Sequence, residues 1–331
     1  MFILVISGSD VGKIPGVSVA GSNPEVIPYT APADADMILW GKPQVIDAIP
    51  VDPLGHPTPA IITRAAYCEA HFPILIVRAG TYLPPMVPYV EMNVTSGKDP
   101  QEQPAVPQVH LIIEKAMSLG ENLGKCSKRI VIAESLPGGT TTAFLILKSL
   151  GYSGMVSSAS PINPTELKEK IWEKAAKRIG IKAGGLSEQP IEAIYQLGDP
   201  MQATVLGIVS GIPEGTEVVL AGGTQMLAVA ALLRHTGCQK SLLVTTTKYV
   251  VQDKYAHFLD LAQQINVKTY SAPLDFSHSA FSGLSDYEKG YVKEGVGAGG
   301  AIWLAEKLGI PPDRVIQRTE QLYREMVEII N

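Results

Sequence analysis

Residues 135–142 read Ser-Leu-Pro-Gly-Gly-Thr-Thr-Thr, between an apolar run at 129–133 and a helical pattern over 142–150 that stops at Gly151. A buried strand, a glycine turn and a helix start together form an anion site. First-turn N–H groups lack intrahelical partners, and the helix dipole adds partial positive charge. Gly138 and Gly139 let the main chain approach a phosphate, and Thr140, Thr141 and Thr142 add neutral donors. Glu134 stands just before the turn. A carboxylate there repels phosphate unless it has other work, such as orienting ribose hydroxyls or stabilising a cationic centre. It also reads as a strand-end surface acid. Glu294 opens a second glycine-rich run, with Gly295 and Gly297, into a helical pattern over 298–308. A carboxylate in that position is a candidate general base, or a helix-start acid that pairs with free N–H groups, which holds it ionised and limits its basicity.

Further candidates are more scattered. Ser158 and Ser160 offer hydroxyls to a phosphate or to turns after Val156. Gly222 and Gly223 follow a strand pattern and precede a helical one, giving a second approach for an anion or a ribose. Lys170 either neutralises an anion or belongs to a solvated helix face with Lys168, Glu173 and Lys174. His278 lies in a polar loop after a strand, where open α/β sheets bind ligands. Ser18 is a candidate for a ring pocket, as are Tyr29, Tyr82 and Tyr89.

Several familiar patterns fail in context. The run 295–300 satisfies G-x-G-x-x-G, but the charged residues 286–294 before it are not a buried strand, so small-residue helix packing or another ligand is expected there in place of a nucleotide cofactor. Residues 8–13 imitate a phosphate loop with one intervening residue too few, and Ile14 stands where Ser or Thr would hold magnesium. No paired-acid run precedes the threonine turn, no G-x-S-x-G elbow is present, and the six histidines form no close pair. A net charge of -5 without a basic block argues against nucleic acid as a partner. Cys68, Cys126 and Cys238 are odd in number and outside metal spacing, which fits reduced thiols and a cytoplasmic location. The apolar start, residues 1–6, is too short for a membrane helix and lacks the basic flank and cleavage site of a leader, so it reads as a first core strand.

These residues need a scaffold. Strand-like runs recur at 2–6, 74–77, 130–133, 218–221, 242–245 and 267–270. Helical patterns separate them, over 109–119, 142–150, 166–179, 201–209, 225–235 and 255–265. The alternation predicts an α/β fold, a Rossmann-like, largely parallel sheet with helices on both faces. Asn163-Pro-Thr-Glu166 reads as a helix start with Asn163 as its cap. The proline-rich stretch 82–107 is the longest loop, a lid, an arm against a neighbour or a connector. Residues 1–284 form the α/β nucleotide-binding core in this reading. Residues 285–331 form a small helical subdomain that contributes the Glu294 loop.

In this chain Glu134 is followed by Thr140-Thr141 after five mostly small residues, and Glu294-Gly-Val-Gly-Ala298 stands near the C-terminus. Both resemble motifs of the nicotinate-nucleotide–dimethylbenzimidazole phosphoribosyltransferases of cobalamin biosynthesis. Gly16-Val-Ser18, the serine loop before Lys170-Ile171, and Leu220-Ala-Gly-Gly223 also look similar. The chain departs from the family pattern at Val11, where a histidine is usual, and at Gly139, where an asparagine is usual, so it resembles a divergent branch such as archaea and cyanobacteria carry. The resemblance implies transfer of phosphoribose from nicotinate mononucleotide to a benzimidazole-type base, with Glu294 as general base. It implies no cofactor or metal, no membrane partner, and a homodimer. A nucleotide-binding protein that has lost the chemistry, or a nucleoside phosphorylase or nucleosidase, stand as alternatives.

Overall fold

The computed structural model describes residues 1–21, 23–48, 50–153 and 155–328. Its strands are β1 (Phe2–Ser7), β2 (Ile74–Ala79), β3 (Val90–Glu91), β4 (Arg129–Ser135), β5 (Glu217–Ala221), β6 (Leu242–Thr247) and β7 (Lys268–Ala272). They form one parallel sheet in the order β3-β2-β1-β4-β5-β6-β7. In chain order the helices are α1 (Ile27–Trp40), α2 (Ala60–Ala70), α3 (Val109–Cys126), α4 (Gly139–Leu150), α5 (Thr165–Ile179), α6 (Pro190–Leu197) and α7 (Pro200–Gly211). They continue with α8 (Gly223–His235), α9 (Lys248–Val251), α10 (Phe258–Ile265), α11 (Ser282–Ser285), α12 (Ala298–Lys307) and α13 (Pro312–Glu328).

Central strands of such a sheet are covered on both faces, which is why they read as unbroken apolar runs. β1 divides its side chains by alternation. Ile3 and Val5 join a core with α3, α4, α7, α8 and α10, while Phe2, Leu4 and Ile6 join a second core with α1, α2, α12 and α13. The expected fold class is therefore the one found. From residue 285 to 328 the regular elements are helical, with a short 3-10 turn at Asp286–Lys289 and then α12 and α13, while 290–297 and 308–311 are turns and loop; residues 329–331 lie outside the described part. α12 packs on β4 to β7, and α13 packs on α2.

Two local expectations are corrected. Asn163 does not cap α5; its amide donates to the Val156 carbonyl at 2.5 Å, and its side-chain oxygen accepts from Lys168 Nζ at 2.8 Å. The stretch 82–107 holds β3, a two-residue edge strand invisible to any hydrophobic pattern. What matters most for function is the strand order. The chain runs from β1 outward through β2 and β3, then returns to place β4 on the other side of β1. Open parallel sheets bind ligands outside the strand C-termini at such a reversal, where diverging loops leave a crevice.

Candidate active site

A cavity of about 300 Å³ lies at this reversal. Its floor comes from the segments that leave β4 (Glu134 to Thr140), β5 (Gly222 to Gln225) and the turn before α12 (Val292 to Val296). Its walls come from residues 16–21 after β1, from α1 and the loop 50–59, and from the serine loop at 157–160. Glu134 and Glu294 both face it, on either side of the Gly222-Gly223 turn. A Cβ on Gly222 would stand 3.1 Å from Glu134 Oε1, and one on Gly223 would stand 3.6 Å from Glu294 Cγ. The glycines let the chain pass between the two acids.

Glu134 is the penultimate residue of β4 and is 1% exposed. Gln225 Nε2 donates to its Oε1 at 2.9 Å. Burial, followed by the charges of Glu294, Asp199 and Asp34, pushes its carboxyl well above the ordinary glutamate range. Gly139 is what admits Gln225, since an ideal Cβ there would fall 1.7 Å from Gln225 Oε1. Gly139 thus leaves room for the amide that α8 supplies to Glu134.

Glu294 is half-buried. Its Oε1 accepts from the backbone N–H groups of Gly295 (3.2 Å) and Gly299 (3.4 Å), and its Oε2 accepts from Thr246 Oγ1 (3.2 Å). Burial raises its carboxyl to about 7, against the downward pull of these donors. Helix-start geometry alone would hold this acid ionised and weakly basic. The hydrogen bonds are present, but desolvation outweighs them.

The backbone around Glu294 is strained. Val292, Lys293 and Val296 have φ of 60°, 62° and 55°, a region hostile to branched and bulky side chains. Lys293 N–H donates to the Tyr291 carbonyl and Glu294 N–H to the Val292 carbonyl, two successive three-residue turns. Each such residue costs about 1–3 kcal/mol and persists only when its surroundings hold it. They do: Thr247 Oγ1 donates to the Lys293 carbonyl at 2.6 Å. The buried Lys293 ammonium meets Asp253 at 3.0 Å and the carbonyls of Ser158 and Ser160 at 2.8 Å. One lysine therefore ties the glutamate turn to the serine loop.

Of the other residues singled out in the sequence, Gly138, Gly139, Thr140, Ser158, Ser160, Gly222, Gly223, Gly295, Ser18 and Tyr29 line the cavity. Thr141 and Thr142 are buried outside its lining; Thr142 Oγ1 donates to Asp199, the cap of α7, at 2.5 Å. Gly297 serves packing, its ideal Cβ falling 2.4 Å from Ala133 Cβ. Lys170 is exposed, because α5 turns Lys168, Ile171, Trp172 and Ala175 inward. His278 is exposed and outside the cavity lining. Tyr82 instead bonds Asp10 beneath Lys13. The glycines of 8–12 pack too: a Cβ on Gly12 would fall 2.6 Å from the Pro137 carbonyl oxygen. Asp34, Gln225, Thr246 and Lys293 are among the polar groups at or beside the cavity that sequence reasoning missed. Among the described residues no group of three or more His, Cys, Asp or Glu side chains is placed to hold a metal ion. Nor is any described helix long and apolar enough to cross a membrane.

The fold is shared with phosphoribosyltransferases. The crystal structure of nicotinate-nucleotide-dimethylbenzimidazole phosphoribosyltransferase from Thermus thermophilus matches with a TM-score of 0.60 at 13% identity, over 97% of this chain and 82% of that one. A structure of CobT from the same organism matches equally, at 0.60 and 14%, over 97% and 83%. At these identities the likeness is one of fold. No protein-family model matches the chain. Its curated relatives span it fully: the UPF0284 protein of Pyrococcus furiosus is 54% identical over 99% of both chains, and that of Thermococcus gammatolerans 51% over 99% of both. That of Saccharolobus islandicus is 41% identical over 98% of this chain and 93% of its own. The chain belongs to the UPF0284 family.

Proposed function

We propose that this chain is a phosphoribosyltransferase that moves phosphoribose from nicotinate mononucleotide to a ring nitrogen of a benzimidazole-type base. The observation that carries the reading is the pairing of Glu134 and Glu294 in one cavity at the sheet's reversal, beside the N-terminus of α4. An excess of acid suits this donor. Its ring nitrogen is cationic, and the anomeric carbon becomes more so as the bond to that nitrogen stretches, so carboxylates favour the transition state. A donor with several phosphates would meet repulsion from the same groups.

The bonds balance without another reactant. The acceptor nitrogen forms a bond to the anomeric carbon while the bond to the pyridinium nitrogen breaks. The breaking pair returns to the pyridine ring, and neutral-ring nicotinate leaves. The acceptor N–H proton passes to Glu294, whose carboxyl near 7 suits a base at neutral pH. Glu134, held by Gln225, orients the ribose hydroxyls. Nicotinate mononucleotide mixed with dimethylbenzimidazole and pure protein should release nicotinate and form the ribotide. Glu294→Gln should lose roughly 10²- to 10⁴-fold in turnover while still binding the nucleotide. Wild-type turnover in that variant would remove Glu294 from its role.

A further inference from the structure

Asp34 is an acid that the reaction above does not use. It lies on α1, is 3% exposed, and borders the cavity. Each of its oxygens accepts one hydroxyl: Thr58 Oγ1 at 2.8 Å on Oδ1, and Ser135 Oγ at 2.7 Å on Oδ2. Those two partners tie it to the segments beside both glutamates. Ser135 follows Glu134, and Thr58 precedes Pro59, which stands 3.3 Å from an ideal Cβ on Gly295, beside Glu294. The cavity lining that holds it mixes apolar Val26, Ile46 and Val51 with polar Thr30, Asp52 and His56. A carboxylate has about four lone-pair sites, and the two hydroxyls leave capacity for another donor. A buried acid is costly unless donors meet it.

We propose that Asp34 is a specificity-determining residue that reads a hydrogen-bond donor, a ring hydroxyl or amino group, on the edge of the acceptor whose nitrogen faces Glu294. The inference rests on the phosphoribosyl-transfer reading and narrows its acceptor. A site built to receive a donor disfavours the analogue that lacks it, because the analogue displaces water from the carboxylate's remaining lone pairs and gives no donor in return.

Titration calorimetry with 5-hydroxybenzimidazole and 5-methylbenzimidazole, which exchange one hydroxyl for one methyl, tests this directly. The unaltered protein should bind the hydroxyl ring roughly tenfold or more tightly. Asp34→Asn should shrink that ratio by roughly threefold or more, because a neutral acceptor makes the weaker bond. Asp34→Leu should invert it; should that variant not fold, Asp34→Asn decides. A ratio near one in the unaltered protein, or one that Asp34→Asn leaves intact, overturns the role, as does failure of both rings to bind. Nicotinate release from the mononucleotide is read separately. Preference without release sinks the reaction and keeps ring recognition; release without preference does the reverse.

Discussion

Glu294 is a base whose usefulness depends on which of its two environments wins. Burial lifts its carboxyl to about 7, while the backbone of Gly295, Gly299 and Thr247 and the Thr246 hydroxyl pull it down. Turnover requires the ionised form, so kcat should rise with pH and level off above about 7. Thr246→Val removes one donor to Oε2, and its loss raises the carboxyl further. The rising limb should then move to higher pH, with Thr246→Ser restoring it. A limb that stays in place in Thr246→Val would mean that another group sets the profile. Both glutamates were legible in the sequence because each abuts a glycine-rich turn that leads into a helix. Asp34, Gln225 and Lys293 were not, since each is a single polar residue among apolar or charged neighbours, and only tertiary packing brings it to the cavity. One signal was available: two aspartates, Asp34 and Asp36, in an otherwise apolar helix. Asp36 spends its oxygens on the backbone N–H groups of Gln44, Val45, Met86 and Val87, which leaves Asp34 as the one that borders the cavity.

At the scale of elements, α12 reaches the strand ends only because its first turn lacks side chains. An ideal Cβ on Gly299 would fall 2.3 Å from the Thr246 carbonyl carbon, and one on Gly300 would fall 2.3 Å from Ala221 Cβ. Gly299→Ala must therefore push α12 away from β6, carrying with it the N–H that Glu294 accepts. Such overpacking costs about 1–3 kcal/mol. The urea midpoint should fall and turnover should fall with it. An unchanged midpoint with unchanged turnover would show that the helix start has room to spare. This close fit also explains why a dinucleotide-like spacing stood where no dinucleotide fold exists: the same glycines that suit a pyrophosphate turn suit a helix pressed onto a sheet. Strands β1 and β4 to β6 were readable because burial on both faces makes them continuous apolar runs. β3 was not, being two residues paired at an edge. Helix periodicity contained the correction at α5, since Lys168, with Ile171, Trp172 and Ala175, falls on the inward stripe and Lys170 between them.

For the whole molecule, the acids at and beside the reversal set a conflict between site and stability. Glu134, Asp34 and Asp199 are all buried, and burial raises each, Asp34 and Asp199 to about 6 and Glu134 well beyond the ordinary range. Over the interval between the unfolded and folded values, the native state holds protons that the unfolded chain has released. Stability then declines as pH rises, by about 1.4 kcal/mol per pH unit for each such group. The contribution is complete below about pH 4 and is lost through about 6 for the two aspartates, and at higher pH for Glu134. The free protein should therefore have a higher urea midpoint at pH 5 than at pH 8. Glu134→Gln keeps the shape, removes the ionisation and leaves Gln225 an acceptor, so it should raise the midpoint at pH 8 and change it little at pH 4. An equal shift at both values would trace the effect to packing, and a midpoint that climbs from pH 5 to pH 8 in the unaltered protein would mean that these acids are ionised and compensated in the native state.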